Sequence, residues 1–277
     1  MTKVYRGGMS GDTAFTGGVP ELYERLLVPM IFAAPARLLA QAVLAEAPQR
    51  VLETAAGTGV LTRELLAAPG LEVVATDLNP PMLAAAQARM PDGASATVRW
   101  EVADALALPF ADSEFDVVAC QFGAMFFPDK VRGYAEALRV LRPGGRFVFN
   151  VWDTVATNPV PGVVSDAVSA ARPGESLDFI RRTPHGYADR ERITAELVEA
   201  GFAEVEVGLH QAPSRTTAAE AAVAFCQGTP LRAHIEASSL DLAEATELAR
   251  VAVEERWGEG PFEAPIGWLQ VTARVPA

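Results

Sequence analysis

Three carboxylates stand where an apolar run gives way to a turn: Glu53 in RVLETAAGTG, Asp77 in LEVVATDLNPPML and Asp104 in VADALALPF. Gly57, Thr58 and Gly59 lie in the first of these turns. Glycines there let the backbone approach a ligand where a Cβ would collide. A helix that begins at such a loop also points its free N–H groups at the same spot. Asp77 follows Gly59 by 18 residues, and a carboxylate at the end of a second strand can accept two ribose hydroxyls. Asp104 can accept an amino-group proton while the next backbone N–H donates to a ring nitrogen. Each feature alone has a plainer reading, as an ordinary strand-to-helix turn, a helix-initiating acid or a turn aspartate. The dinucleotide fingerprint needs a third glycine, and Thr62 stands in its place, which disfavours a nicotinamide or flavin site.

The elements that must hold these residues alternate. Strands are predicted over 50–54, 71–77, 98–103, 116–122 and 146–152, with helices from the glycine loop to 65, over 80–90 and over 130–141. Near-continuous apolar strands alternating with helices predict a parallel sheet covered on both faces. Residues 1–20 read as a leader without period, followed by a helix over 21–47 bent near Pro29 and Pro35. After residue 153 the alternation breaks. Only short helical pieces are expected over 154–190, then a helix over 189–200, a strand over 202–210, helices over 216–260 and a last strand over 268–275. This gives residues 1–47 as leader and helical lid, and 48–277 as one α/β domain with lid insertions near 154–188 and 214–262.

Composition narrows the function. The 277 residues carry 35 Asp and Glu against 23 Lys and Arg, a net charge of −12, which argues against a nucleic-acid-binding surface. The two cysteines and three histidines form no metal-ligand spacing. The N-terminus has no signal-peptide pattern, and the apolar stretch 28–45 is interrupted by Pro29, Pro35, Arg37 and Gln41, so a cytoplasmic, membrane-free protein is expected.

Residues 48–152 resemble the core of class I S-adenosylmethionine-dependent methyltransferases, closest to the UbiE-like small-molecule type. VLETAAGTG, VVATDLNPPML, EVADALALPF, FDVVACQFGAMFF and LRVLRPGGRF arrive in the order of that family. The resemblance implies a Rossmann-like, seven-stranded, mostly parallel sheet of order 3-2-1-4-5-7-6 with the last strand antiparallel and helices on both faces. It implies S-adenosylmethionine as cofactor, with the loop Ala55–Gly59, behind Glu53, at its methionyl end and Asp77 at the ribose. Asp104 and Ala105 would meet the adenine, Leu78 and Met82 would pack against the nucleoside, and Gln121 would lie near the methionyl amine. The family usually has glycine where this chain has Ala55.

A sulfonium donor carries a good leaving group, so the protein supplies mainly alignment, desolvation and, for some acceptors, proton removal. Among the histidines, His185 is preferred as base, because an insertion after the fifth strand can roof an acceptor site; Tyr23 is placed to close over the cofactor. Trp152, Phe126, Phe127 and Phe225 are candidates for an apolar pocket or for core. The expected function is methyl transfer to an O, N or C atom of a small molecule, by a monomer or homodimer without metal. The alternatives are an NAD(P)-dependent oxidoreductase and a catalytically silent nucleoside-binding protein.

Overall fold

The structure, a computed structural model, describes residue 12 and residues 18–91 and 93–276; the rest of the predicted leader lies outside them. Seven strands form one sheet: β1 (Arg50–Glu53), β2 (Glu72–Asp77), β3 (Thr97–Val102), β4 (Phe115–Gln121), β5 (Leu141–Trp152), β6 (Ala203–Thr217) and β7 (Pro261–Arg274). Their order is β3-β2-β1-β4-β5-β7-β6. The first five are parallel, and β7 runs antiparallel to both β5 and β6. This is the topology that the family resemblance implies.

Successive strand residues feed opposite faces. Leu52, Val74, Val118 and Phe147 enter one buried cluster, and Val51, Val73, Val117 and Val148 enter the other. Both faces are covered, which is why these strands read as unbroken apolar runs rather than as alternations.

A continuous helix, Val19–Leu44, leads into the sheet. It begins as α1 (Val19–Leu22), widens to a π-helix over Tyr23–Phe32 and tightens into α2 (Ala33–Leu44). Proline inside a helix removes a donor and collides with the preceding turn; Pro29 lies inside the π segment. The helix is long and apolar enough to cross a membrane by length and composition, yet 56% of its apolar window is buried within the fold. Leu27, Ile31 and Phe32 join one core cluster, and Leu39 and Val43 the other.

The core helices are α3 (Val60–Leu65), α4 (Pro80–Gln87), α5 (Lys130–Val140) and α8 (Arg190–Glu199). The first insertion differs from expectation. It contains a 13-residue helix, α6 (Pro159–Ala171), before the short α7 (Phe179–Arg182). Pro159 and Pro161 stand in the first turn of α6, where no intrahelical N–H partner exists to be lost. The second insertion holds α9 (Ala218–Gln227), α10 (Leu231–Glu236) and α11 (Leu242–Trp257). β6 and β7 pair from Ala203 with Arg274 to Thr217 with Pro261, well past the predicted strand limits. Pro213, Pro265 and Gly267 mask the alternation there, whereas ladder pairing carries the two strands through.

Candidate functional site

The C-terminal ends of β1, β2, β4 and β5 open into a single large cavity of about 1360 Å³, counting its mouth. On one side it is built by the loop after β1. Ala56 N–H donates to the Thr76 carbonyl at 2.8 Å, and Gly57 N–H donates to Asp77 Oδ2 at 2.8 Å. Asp77 Oδ1 accepts from the Asn79 N–H at 2.8 Å and from Asn79 Nδ2 at 3.2 Å. Burial raises the Asp77 pKa against these hydrogen bonds. A carboxylate offers about four acceptor sites, so these three bonds leave room for a ligand hydroxyl.

Two amide oxygens at this side are buried without a partner, Gln121 Oε1 and Asn79 Oδ1. Their orientation is not arbitrary. Gln121 Nε2 donates to the Phe32 carbonyl at 2.9 Å, and a carbonyl accepts only from the NH2 end, which fixes the oxygen as the unpaired atom. An orphaned buried acceptor costs about 1–3 kcal/mol unless a donor arrives. The ammonium and hydroxyl groups of a nucleoside-bearing amino acid would supply such donors, so these residues fit S-adenosylmethionine. Ala55, Leu78, Met82, Asp104 and Ala105 complete this side. Asp104 Oδ1 also accepts the Leu106 N–H at 2.9 Å, which shapes its turn.

Glu53, Thr58 and Gly59 do not reach the cavity; they stand behind its loop. Glu53 is 1% exposed and accepts from Thr62 Oγ1 at 2.5 Å, and burial pushes its carboxyl up to about 8. Gly59 starts α3 with φ +79°, and a Cβ there would lie 3.1–3.2 Å from Ala86, Met90 and Trp100. Its missing side chain serves packing against α4 and β3 rather than approach to a ligand. Thr58 is fully buried, and its carbonyl accepts from Arg63 at 2.7 Å. The sequence pattern marks all five loop positions alike because it cannot tell the lining from its support.

The other side is aromatic. Phe122 and Trp152 stack with centroids 3.8 Å apart and planes 9° apart, Phe32 leans on both, and Tyr23 stacks on Phe32 at 4.7 Å. Burial, above all, holds the Tyr23 phenol well above its ordinary pKa. Phe126, Phe127 and Phe225 line the same space, together with Phe179, Ile180 and His185 from the first insertion and Thr229 and Pro230 from the second. His185 is 9% exposed, and its ring lies 6.0 Å from Trp152. Its Nδ1 is 2.7 Å from the Asp153 carbonyl. That oxygen can only accept, so Nδ1 carries the proton and Nε2 holds the lone pair. Burial brings the His185 pKa down to about 4, which keeps the ring neutral. The other two histidines are elsewhere, His210 stacked on Trp268 and His234 paired with Asp12.

Comparison with known proteins decides the family. Residues 52–149 match the family described as methyltransferase domain. The demethylmenaquinone methyltransferase of Thermus thermophilus is 46% identical over 132 residues, covering 46% of this chain and 58% of the relative. The ubiquinone/menaquinone biosynthesis C-methyltransferase UbiE of Ectopseudomonas mendocina is 31% identical over 207 residues, 70% of this chain and 76% of the relative. The chain belongs to the UbiE-like class I S-adenosylmethionine-dependent methyltransferases. Haemonchus contortus phosphoethanolamine N-methyltransferase 2, solved with S-adenosylmethionine, shares the fold with a TM-score of 0.60 at 18% identity, over 98% of this chain and 61% of that one. The chain thus spans little more than half the length of the Thermus relative. The oxidoreductase alternative finds no support among these relatives.

Within this UbiE-like chain, the wall residues that escaped the sequence include Asn79, Phe32 and Phe179. Asn79 carried a signal, since it follows the Asp77 carboxylate by two positions and its side chain does not cap α4. Phe32 and Phe179 carried none, because core and cavity wall share one composition.

Proposed function

We propose that this protein transfers a methyl group from S-adenosylmethionine to a flat, apolar small-molecule acceptor. The bound cofactor supplies an electrophilic methyl on a good leaving group. Asp77 takes a ribose hydroxyl, Asp104 and Ala105 the adenine, and Leu78 and Met82 the faces of the nucleoside. The loop at Ala55 and Gly57 and the Gln121 oxygen receive the methionyl end. The observation that carries this reading is the pair of orphaned oxygens, Gln121 Oε1 and Asn79 Oδ1, beside Asp77 in a cavity whose opposite wall is aromatic.

The aromatic wall and both insertions hold the acceptor and exclude water, and Tyr23 closes the space from the N-terminal helix. His185 Nε2 is the base. A neutral imidazole with a depressed pKa is a weak base, which suits a proton that becomes acidic as the methyl group arrives. The quinone-linked names of the relatives support an aromatic ring as acceptor. An acidic surface and a packed N-terminal helix support a cytoplasmic enzyme acting on a small molecule.

Calorimetry with S-adenosylmethionine and S-adenosylhomocysteine tests the cofactor half. Micromolar binding is expected, weakened by about 1–3 kcal/mol in Asp77→Ala through loss of charge-assisted hydrogen bonds. Transfer of tritium from methyl-labelled cofactor to a reduced demethylmenaquinone tests the acceptor half. A folded protein that binds neither nucleoside overturns the proposal.

A further inference from the structure

Outside the cavity, one carboxylate ties together segments from three distant parts of the chain. Asp12, the one described residue ahead of Gly18, accepts from Arg182 Nη1 and Nη2 at 2.7 and 3.0 Å and from Thr183 Oγ1 at 2.9 Å. Its Oδ1 also lies 2.8 Å from His234 Nε2. Arg182 and Thr183 end α7 in the first insertion, and His234 lies on α10 in the second. We propose that Asp12 is a positioning residue, which registers the two insertions against each other and thereby sets the acceptor wall and His185. This rests on the assignment of that half of the cavity to the acceptor.

Two short paths lead inward from the knot. The His234 ring lies on Phe179, with centroids 5.4 Å apart and planes 24° apart, and Phe179 in turn stacks on Phe126 at 6.4 Å. Both phenylalanines line the cavity. Along the chain, Thr183 precedes His185 by two residues, and the His185 N–H donates to the Ile180 carbonyl at 3.1 Å. Movement of the α7 terminus therefore moves the imidazole.

A pair of exposed ions would deserve little weight. This carboxylate differs in being only 21% exposed, in meeting arginine through two parallel bonds, and in joining partners 170 and 222 positions away. The Arg182 guanidinium, first among its partners, holds the Asp12 carboxyl down to about 2, so it is an anion throughout the working range. Nothing in the knot touches the cofactor half, so loosening it should leave nucleoside binding alone.

The three histidines make the test direct. Protein labelled with 15N-histidine is titrated by NMR as wild type, Asp12→Asn, Asp12→Glu and Arg182→Gln, with S-adenosylhomocysteine calorimetry on the same samples. Asp12→Asn and Arg182→Gln should move the His185 midpoint upward by on the order of one pH unit, as water reaches a ring that burial now desolvates. Asp12→Glu should restore most of the shift. S-adenosylhomocysteine affinity should stay within about twofold in every variant, and His210, remote from the knot, reports on global folding. An unmoved His185 midpoint in Asp12→Asn and Arg182→Gln, with the His234 signal displaced, overturns the proposal. So does a shift accompanied by an equal loss of nucleoside binding. Absence of nucleoside binding in the wild type would instead strike the methyltransferase reading, and the His185 comparison would still decide the role of Asp12.

Discussion

The two halves of the cavity are built from different material. The polar half, which we assign to the cofactor, comes from residues 55–121, at the ends of neighbouring strands, and is held by backbone donors converging on Asp77 and by fixed amides. The aromatic half, which we assign to the acceptor, draws on residues from Tyr23 to Ile266 and is held by stacked rings and a single histidine. One is a polar mould with unmet acceptors. The other is an apolar space whose shape depends on how two insertions and a π-helix come together. Hydrogen bonds have strict geometry and few solutions, whereas an apolar wall tolerates many side chains of suitable volume. A family can therefore keep the first half and vary the second.

The largest effect should come from the support of the polar half. Gly59→Val places a β-branched residue at φ +79°, with its Cβ 3.1–3.2 Å from Ala86, Met90 and Trp100. Backbone strain and overpacking together should remove about 3 kcal/mol of stability. Denaturant titration checks this, and a loss below about 1 kcal/mol would mean that the loop is not fixed by its packing. Next comes the acceptor half. His185→Ala should lower turnover by about 10²-fold, as expected for loss of a base, with S-adenosylhomocysteine affinity within about twofold. With the His185 pKa held at about 4, the wild-type rate should show no histidine inflection near 6.5. An inflection there that vanishes in His185→Ala would place a solvated, titrating imidazole in the site and break the comparison at its acceptor end.

How much of this was legible in the sequence follows the same division. The order of the sheet was readable, and so was the place of the glycine loop, Asp77, Asp104 and Gln121 at one cavity, because each sits at a strand end, where local chain direction sets its position. Glu53 at the end of β1, and Thr58 and Gly59 in the loop after it, stand behind the cavity wall rather than on it, since φ and packing decide which face such a residue shows. The place of His185 at the cavity was legible from its position after the fifth strand, and its tautomer was not, because that depends on the Asp153 carbonyl 32 residues away in sequence. Asp12 was invisible. Nothing in the leader announces partners at 182, 183 and 234, and only the folded chain brings them together.

A pH measurement separates the loop from what lies beneath it. The Glu53 carboxyl is raised by burial from 4.5 to about 8, so the folded chain keeps a proton that the unfolded chain loses. The stability this contributes is complete below pH 4.5 and disappears as pH rises through about 8. Glu53→Gln keeps an acceptor for Thr62 Oγ1 and cannot ionise. Between pH 5 and 7 the wild type should lose on the order of 2 kcal/mol relative to this variant. Parallel stability curves for the two proteins would show that Glu53 is ionised and that the floor of the loop is wetter than its burial implies.

The smallest effect concerns the one departure from the family's loop. Ala55 adopts φ +52°, a left-handed conformation that carries a steric penalty for alanine and none for glycine. Relief of that strain outweighs the extra freedom a glycine gives the unfolded chain, so Ala55→Gly should stabilise by about 0.5–1 kcal/mol. The methyl group does not crowd the cofactor half, because a Cβ built on Gly123 would fall 2.4 Å from it. The Ala55 methyl thus fills space that Gly123 leaves open, and S-adenosylhomocysteine affinity should change by less than about threefold. A double-mutant cycle makes the link measurable. Gly123→Ala meets both this methyl and the Cys120 Sγ at 2.8 Å, so it should cost less in the Ala55→Gly background without becoming neutral. A coupling energy of at least ~0.5 kcal/mol is expected for side chains in direct contact. If the two substitutions simply added, the methyl would be pointing somewhere else, and the polar half would be less tightly specified than its hydrogen bonds indicate.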